Sequence, residues 1–162
     1  MKRRTFLAAT AAAPAILPRS VFGANKRLNI GFIGMGGQIQ GHVRNTLQLG
    51  QNVVAFCDVD PNQTDRSRNR HKDKAGNINA YMDYRLMLEN EKSLDAVVIG
   101  TPDHWHAPIC TAAMKAGKHV FCEKPLTHTV AESRDLRKLS RTAKVVTQTG
   151  NQGSASPNLR RS

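Results

Sequence analysis

The apolar positions of this chain fall into short continuous runs separated by amphipathic stretches. Leu28 to Ile33 is the first run, suited to a buried strand, and Gln38 to Leu49 then carries helical periodicity closed by Gly50. Val53 to Cys57 predicts a second strand, followed by a polar helix from about Asn62 to Lys74. Ile78 to Tyr81 predicts a short third strand and Tyr84 to Asn90 a small helix. Leu94 to Ile99 is the clearest buried strand, and His106 to Ala116 a helix ended by Gly117, where a residue without Cβ suits the left-handed cap. Val120 to Cys122, a helix over Val130 to Arg141 and a strand over Val145 to Thr149 complete the series. Strands that are apolar throughout, alternating with helices, are buried on both faces. The fold class expected is therefore α/β, a doubly wound parallel sheet.

At 162 residues the chain has the length of one ordinary domain, too short for a cofactor domain plus a substrate domain. Its 24 Lys and Arg against 12 Asp and Glu give a formal net charge of +12. Such a balance can indicate a nucleic-acid or membrane-surface partner. Here the basic residues are spread along the chain. The local group Arg66, Arg68, Arg70, Lys72 and Lys74 lacks interleaved aromatics and reads as a solvated helix face, so no nucleic-acid partner is expected.

Residues 1–24 read as a targeting segment: a basic Lys2-Arg3-Arg4, an Ala-rich apolar stretch from Phe6 to Leu17 and small residues around Ser20 to Ala24. The stretch is too short for a stable membrane span, and Pro14 interrupts it. Arg3-Arg4 followed by Thr5-Phe6-Leu7 resembles a twin-arginine signal, with Lys2 as a departure. An Arg pair in an ordinary secretory n-region is the alternative. The twin-arginine machinery moves folded cargo, and a periplasmic destination is expected. Cys57, Cys110 and Cys122 are odd in number, lie in apolar surroundings and are expected to be buried thiols. Ser156-Pro157 looks like a helix start followed by barely one turn, so residues 151–162 are expected to open an interrupted C-terminal part.

The chemistry-bearing residues gather after the predicted strands. Gly34, Gly36, Gly37, Gln38 and Ile39 follow the first strand and enter a helix, the position of a dinucleotide fingerprint. There a first glycine makes the turn, a second admits the pyrophosphate, and helix N–H groups meet the anion. Ile39 stands where a third glycine would allow close helix packing, so local packing should differ. Asp58 ends the second strand about 20 residues further on, where a carboxylate accepts from ribose hydroxyls and repels a 2′-phosphate. NAD is thus expected in preference to NADP. Thr101, Pro102 and His106 follow the clearest strand, and Glu123-Lys124-Pro125 the next, all on the rim where ligands of open parallel sheets sit. His106 is expected to open a helix and face the cofactor. Lys124 would offer a cation to a hydroxyl or developing alkoxide, Glu123 would hold ribose hydroxyls and orient that lysine, and Pro125 would fix the turn, which admits a cis bond. His104, His106 and Cys110 match no zinc spacing, and no metal is expected.

Together these residues resemble the Gfo/Idh/MocA family, named after glucose–fructose oxidoreductase and inositol dehydrogenase. The supporting stretches are Ile30 to Gly36, His42, Asp58, Gly100-Thr101-Pro102 with His106, Gly117 to Val120, and Glu123-Lys124-Pro125. The resemblance implies an NAD(P)-binding Rossmann domain over residues 25–150, Lys124 as the substrate-side catalytic residue, and Gly150-Asn151 near the nicotinamide. It also implies a second α/β domain that supplies substrate contacts, a proton-accepting His and the usual route to homo-oligomers. The activity implied is NAD-dependent oxidation or reduction of a secondary alcohol on a sugar or polyol, with this stretch inactive by itself. Two alternatives are a non-catalytic NAD-binding module and a redox glycosidase. Glycoside-cleaving relatives lack lysine in the Glu-Lys-Pro motif, so Lys124 argues against the second.

Overall fold

A computed structural model describes residues 27–151. The segment read as an export signal and the helix start expected at Ser156 lie outside those residues. Six parallel strands alternate with five α-helices: β1 (Asn29–Ile33), α1 (Ile39–Gln48), β2 (Asn52–Cys57), α2 (Pro61–Ala75), β3 (Asn79–Tyr81), α3 (Tyr84–Asn90), β4 (Ala96–Ile99), α4 (His106–Lys115), β5 (His119–Cys122), α5 (Val130–Thr142) and β6 (Thr147–Thr149). A 3-10 turn, Asp103–Trp105, precedes α4. The strands lie in the order β3-β2-β1-β4-β5-β6, so the doubly wound parallel sheet expected from the hydrophobic pattern is the fold observed.

Side chains of successive strand residues point to opposite faces, and each face carries its own core. Ile30, Phe32, Phe56 and Val98 pack with Ile39 and Val43 of α1 on one side. Ile33, Cys57, Val97, Ile99 and Cys122 pack with α3, α4 and α5 on the other. Leu94, expected to begin β4, lies before the strand, yet it is buried and fills the space beside Gly31, where an added Cβ would lie 3.1 Å from its methyl. Leu94 therefore owes its burial to packing rather than to the strand ladder. Val145 and Val146 likewise precede the three-residue β6. All three cysteines are buried free thiols. Burial, then the Asp58 and Asp83 carboxylates, push the Cys57 thiol up to about 12. A hydrogen bond with Cys110, then burial, raises Cys122.

Three helix starts are capped by side chains. Asp60 caps α2 with Pro61 in the first helical position, so this helix begins one residue earlier than Asn62. Asp83 caps α3, and Thr129 with Glu132 forms a reciprocal capping box on α5. Gly50 and Gly117 close α1 and α4 at positive φ, as their positions in the sequence imply.

His71 on α2 is buried, and its Nε2 has no hydrogen-bond partner among the described residues. Burial, followed by the charges of Arg70, Arg44 and Lys74, lowers its pKa below the ordinary 6.5. Between the lowered folded value and 6.5 the unfolded chain binds more protons than the folded one, so this site's stability is complete above 6.5 and declines as pH falls below it. Thermal melts of His71→Phe should accordingly show a shallower loss of stability between pH 7 and 5 than the parent. Parallel curves would show that His71 is not the group responsible.

Candidate functional site

The strand order reverses between β1 and β4, and the carboxyl ends of these parallel strands open a crevice. Gly34 stands at its base with φ +84°, and a Cβ there would lie 2.6 Å from the Thr101 nitrogen and 2.8 Å from the Gly100 carbonyl carbon. Both neighbours are backbone, so only glycine fits. Gly36 and Gly37 are exposed, and Cβ atoms on them would meet nothing within 4 Å. These two leave room for a ligand against bare backbone.

Asp58, one residue beyond β2, binds this loop directly. Met35 N–H donates to its Oδ2 at 2.6 Å and Asp60 N–H to its Oδ1 at 2.9 Å. Gln40, which the sequence reading passed over, donates from Nε2 to the Met35 carbonyl at 3.0 Å and to Ser67 Oγ at 2.8 Å. Helix α1 starts at this loop with Gln38 making no side-chain cap and no acid in the first turn. The Gln40 and Gly41 N–H groups turn back to the Gly37 and Gln38 carbonyls at 3.3 and 3.2 Å, so no side chain occupies this helix start and an anion could approach through the exposed Gly36, Gly37 and Gln38. Beside Gly34 and Asp58 lies a cleft of about 290 Å³ walled by Val59, Met82, Tyr84 and Trp105. Arg85 stacks over the Tyr84 ring at 4.6 Å. Thr101 and Pro102 form the far wall, where Thr101 Oγ1 is buried without a hydrogen-bond partner among the described residues.

Ile39, expected to contact the cofactor, is instead fully buried and packs into the core beneath the loop. The space a third glycine would have provided comes from the strand side instead. Gly100 lies beneath Ile39, and a Cβ on Gly100 would sit 2.6 Å from Ile39 Cδ1. The expected difference in local packing is thus an exchange of bulk between helix and sheet.

His106 corrects an expectation. It does open α4, but it is 1 % exposed and does not face the crevice. Its Nδ1 lies 2.6 Å from the Pro125 carbonyl and its Nε2 2.8 Å from the Thr101 carbonyl. Glu123 is also buried: His42 Nε2 bonds its Oε1, and its Oε2 lies 3.4 Å from Lys124 N. The strip around Gly150 passes close by, with a Gly150 Cβ position 3.1 Å from Glu123 Oε2. Lys124 and Asn151 are exposed on this rim, and the Lys124–Pro125 bond is cis. Lys118 and His119, from the stretch Gly117 to Val120, serve the fold at the opposite rim. Lys118 Nζ donates to the Leu94 carbonyl at 2.8 Å, and His119 Nδ1 accepts from Val146 N–H at 2.9 Å.

These features fit a dinucleotide: an open glycine shelf, an uncapped helix start, a carboxylate at the second strand end and an apolar cleft beside it. A family model described as an oxidoreductase family with an NAD-binding Rossmann fold, GFO_IDH_MocA, matches residues 28–151. The chain belongs to this family of NAD-binding oxidoreductases. It is 38% identical over 114 residues to a glycosyl hydrolase family 109 protein of Shewanella pealeana, covering 65% of this chain and 24% of that protein. It is 35% identical over 108 residues to an inositol 2-dehydrogenase of Salmonella paratyphi B, covering 65% of this chain and 31% of that protein. Among solved structures, a myo-inositol 2-dehydrogenase from Lactobacillus plantarum superposes with a TM-score of 0.76 at 29% identity, over 84% of this chain and 40% of that one. A scyllo-inositol dehydrogenase from Lactobacillus casei, solved with NAD(H) and scyllo-inositol, gives a TM-score of 0.74 at 25% identity, over 84% of this chain and 39% of that one. The chain therefore spans roughly a quarter to a third of the curated relatives' length.

The Gly100–Ile39 contact can be tested by a mutant cycle. Gly100→Ala should destabilise the chain by about 1–3 kcal/mol in urea unfolding, the usual cost of overpacking. Adding Ile39→Val, which removes the obstructing Cδ1, should recover most of that loss. Strictly additive costs would mean the two positions do not share the space.

Proposed function

We propose that the chain is the NAD-binding part of a dehydrogenase that oxidises or reduces a secondary alcohol on a sugar or polyol. The observation that carries this reading is the crevice at the β1–β4 switch, with Gly34 seated on Thr101 and the Asp58 carboxylate at its edge. Gly36, Gly37 and the start of α1 would receive the pyrophosphate. Asp58 would accept from the adenosine ribose, and its negative charge favours NAD over NADP. When bound, NAD supplies the acceptance of a hydride from the alcohol carbon. Lys124, exposed beyond β5, would donate a hydrogen bond to the substrate oxygen and stabilise negative charge developing there. Asn151 would lie on the nicotinamide side. The final proton acceptor would come from the family's second domain, so the stretch described here binds cofactor without turning over substrate.

A second reading is glycoside cleavage, favoured by the relatives of 38% identity named as glycosyl hydrolase family 109 proteins. Lys124 supports the dehydrogenase instead. We further propose that residues 1–24 direct twin-arginine export to the periplasm, residues 25–150 form the nucleotide domain, and residues 151–162 begin the C-terminal part, through which the protein would self-associate. No described helix is long and apolar enough to cross a membrane.

Calorimetry on the chain should show NAD binding more tightly than NADP. Asp58→Asn, which keeps an acceptor for Met35 N–H but removes the charge, should weaken NAD roughly tenfold or more, since hydrogen bonds to charged groups contribute about 1.5–3 kcal/mol. It should also narrow the preference over NADP. Equal affinity for both cofactors in the parent would remove the role given to Asp58. With the protein at its natural full length, polyol-dependent NADH formation supports the dehydrogenase. Release of a chromogenic N-acetylgalactosaminide without polyol oxidation would favour the glycosidase.

A further inference from the structure

We propose that His42 and His106 are positioning residues that clamp the Glu123–Lys124–Pro125 turn between the two walls of the cofactor crevice. The inference rests on the role given above to that turn. His42 lies on α1, the helix that starts at the glycine loop, and its Nε2 bonds Glu123 Oε1. Its ring also lies 5.0 Å from the Phe121 ring, which holds the imidazole over β5. His106 stands at the start of α4, which packs on the opposite face of the sheet, and reaches the turn from there. Its Nδ1 lies 2.6 Å from the Pro125 carbonyl and its Nε2 2.8 Å from the Thr101 carbonyl, so it donates to whichever faces its N–H, and to both when both nitrogens carry hydrogen. One ring thus ties the turn to the glycine-loop wall, the other to the Thr101 wall.

The turn is tied to the sheet at its start, where Glu123 N–H donates to the Ile99 carbonyl at 2.9 Å, and Leu126 packs on the core at its end. Lys124 and Pro125 are exposed, and the Lys124 N–H contact to Glu123 Oε2 is a long 3.4 Å. An apolar side chain could fill the His106 site, which is 1 % exposed. A buried imidazole is tolerated only with partners, and here both partners are the two rim loops. Carbonyl oxygens only accept, so either ring nitrogen that carries hydrogen donates to a rim loop. The arrangement fixes where the Lys124 backbone sits relative to the crevice, while its side chain remains exposed to reach a substrate.

The test measures local order in the intact chain by ¹⁵N relaxation. The Lys124 and Leu126 amides should have order parameters near about 0.85 in the parent, falling below about 0.6 in His42→Leu and His106→Leu, while Phe32 in β1 stays rigid. His42→Gln and His106→Gln, which keep one N–H donor, should recover part of the order. Unchanged order at Lys124 and Leu126, or an equal loss at Phe32, would overturn the clamp. Should the Leu variants fail to fold, ring ¹⁵N shifts of the parent decide. His42 Nε2 must be protonated to donate to the carboxylate, and a bare Nε2 overturns the proposal. NAD calorimetry on the same variants separates the two readings. A loosened turn with unchanged NAD affinity, or a parent that binds no NAD, rejects the turn's place in the cofactor site and leaves the clamp standing.

Discussion

Gly34 lies against the backbone of Gly100 and Thr101 so closely that any Cβ would meet three backbone atoms within 2.8 Å. A side chain can swing away from an intruding atom, but backbone in a sheet cannot without breaking its ladder. Gly34 N–H donates to the Cys57 carbonyl at 2.8 Å, and Gly100 N–H to the Ile33 carbonyl at 2.8 Å. These two bonds fix the ends of β2, β1 and β4 relative to one another. From that junction the rest of the site follows. Asp58, next after Cys57, comes within reach of Met35 N–H, and α1 begins beside the crevice with Ile39 over Gly100.

Side-chain caps distinguish the helix starts of this rim: α1 and α4 have none. The starts of α2, α3 and α5 are satisfied by Asp60, Asp83 and Thr129, each accepting a backbone N–H. Helix α1 has neither a side-chain cap nor an acid in its first turn. An uncapped helix start carries a cost that a bound anion relieves. The nearest carboxylate, Asp58, is turned to Met35 and Asp60 rather than to the α1 N–H groups. Within one crevice, then, an open glycine shelf lies beside a negative edge, suited to a ligand carrying phosphates in one place and hydroxyls in another.

Much of this was legible in the sequence because the signals are local. Continuous apolar runs gave the parallel sheet, and Gly50 and Gly117 gave the helix ends. Gly34, Asp58 and Glu123-Lys124-Pro125 each announce themselves within a few residues of a strand end. Strand starts were less legible, since Leu94 is apolar for packing beside Gly31 rather than for pairing. What the sequence hid are the pairings across distance. His42 and Glu123 are separated by 81 positions, Gln40 and Ser67 by 27, and His106 and Pro125 by 19. The compensation of Ile39 by Gly100 was equally invisible, because its logic lies in which two backbones approach. His106 shows the consequence: its position at a helix start on the rim implied a cofactor contact, while its burial gives it to two carbonyls.

The division of labour between Glu123 and Lys124 follows from strand geometry. Side chains alternate along β5 and just beyond it, so Glu123 follows Phe121 to the α1 face while Cys122 packs on the other. That sends the carboxylate into a buried contact with His42 and leaves the adjacent lysine exposed. Were both side chains on one face, they would satisfy each other as an ion pair, and the lysine would no longer present an unspent donor to a substrate oxygen. Alternation instead lets the anion act as the anchor and the cation as the working group, although the two are covalent neighbours. A turn built this way needs its anchor held by something other than the lysine, and an imidazole on the neighbouring helix is suited to that, because it donates a hydrogen bond to the carboxylate from a fixed, packed ring.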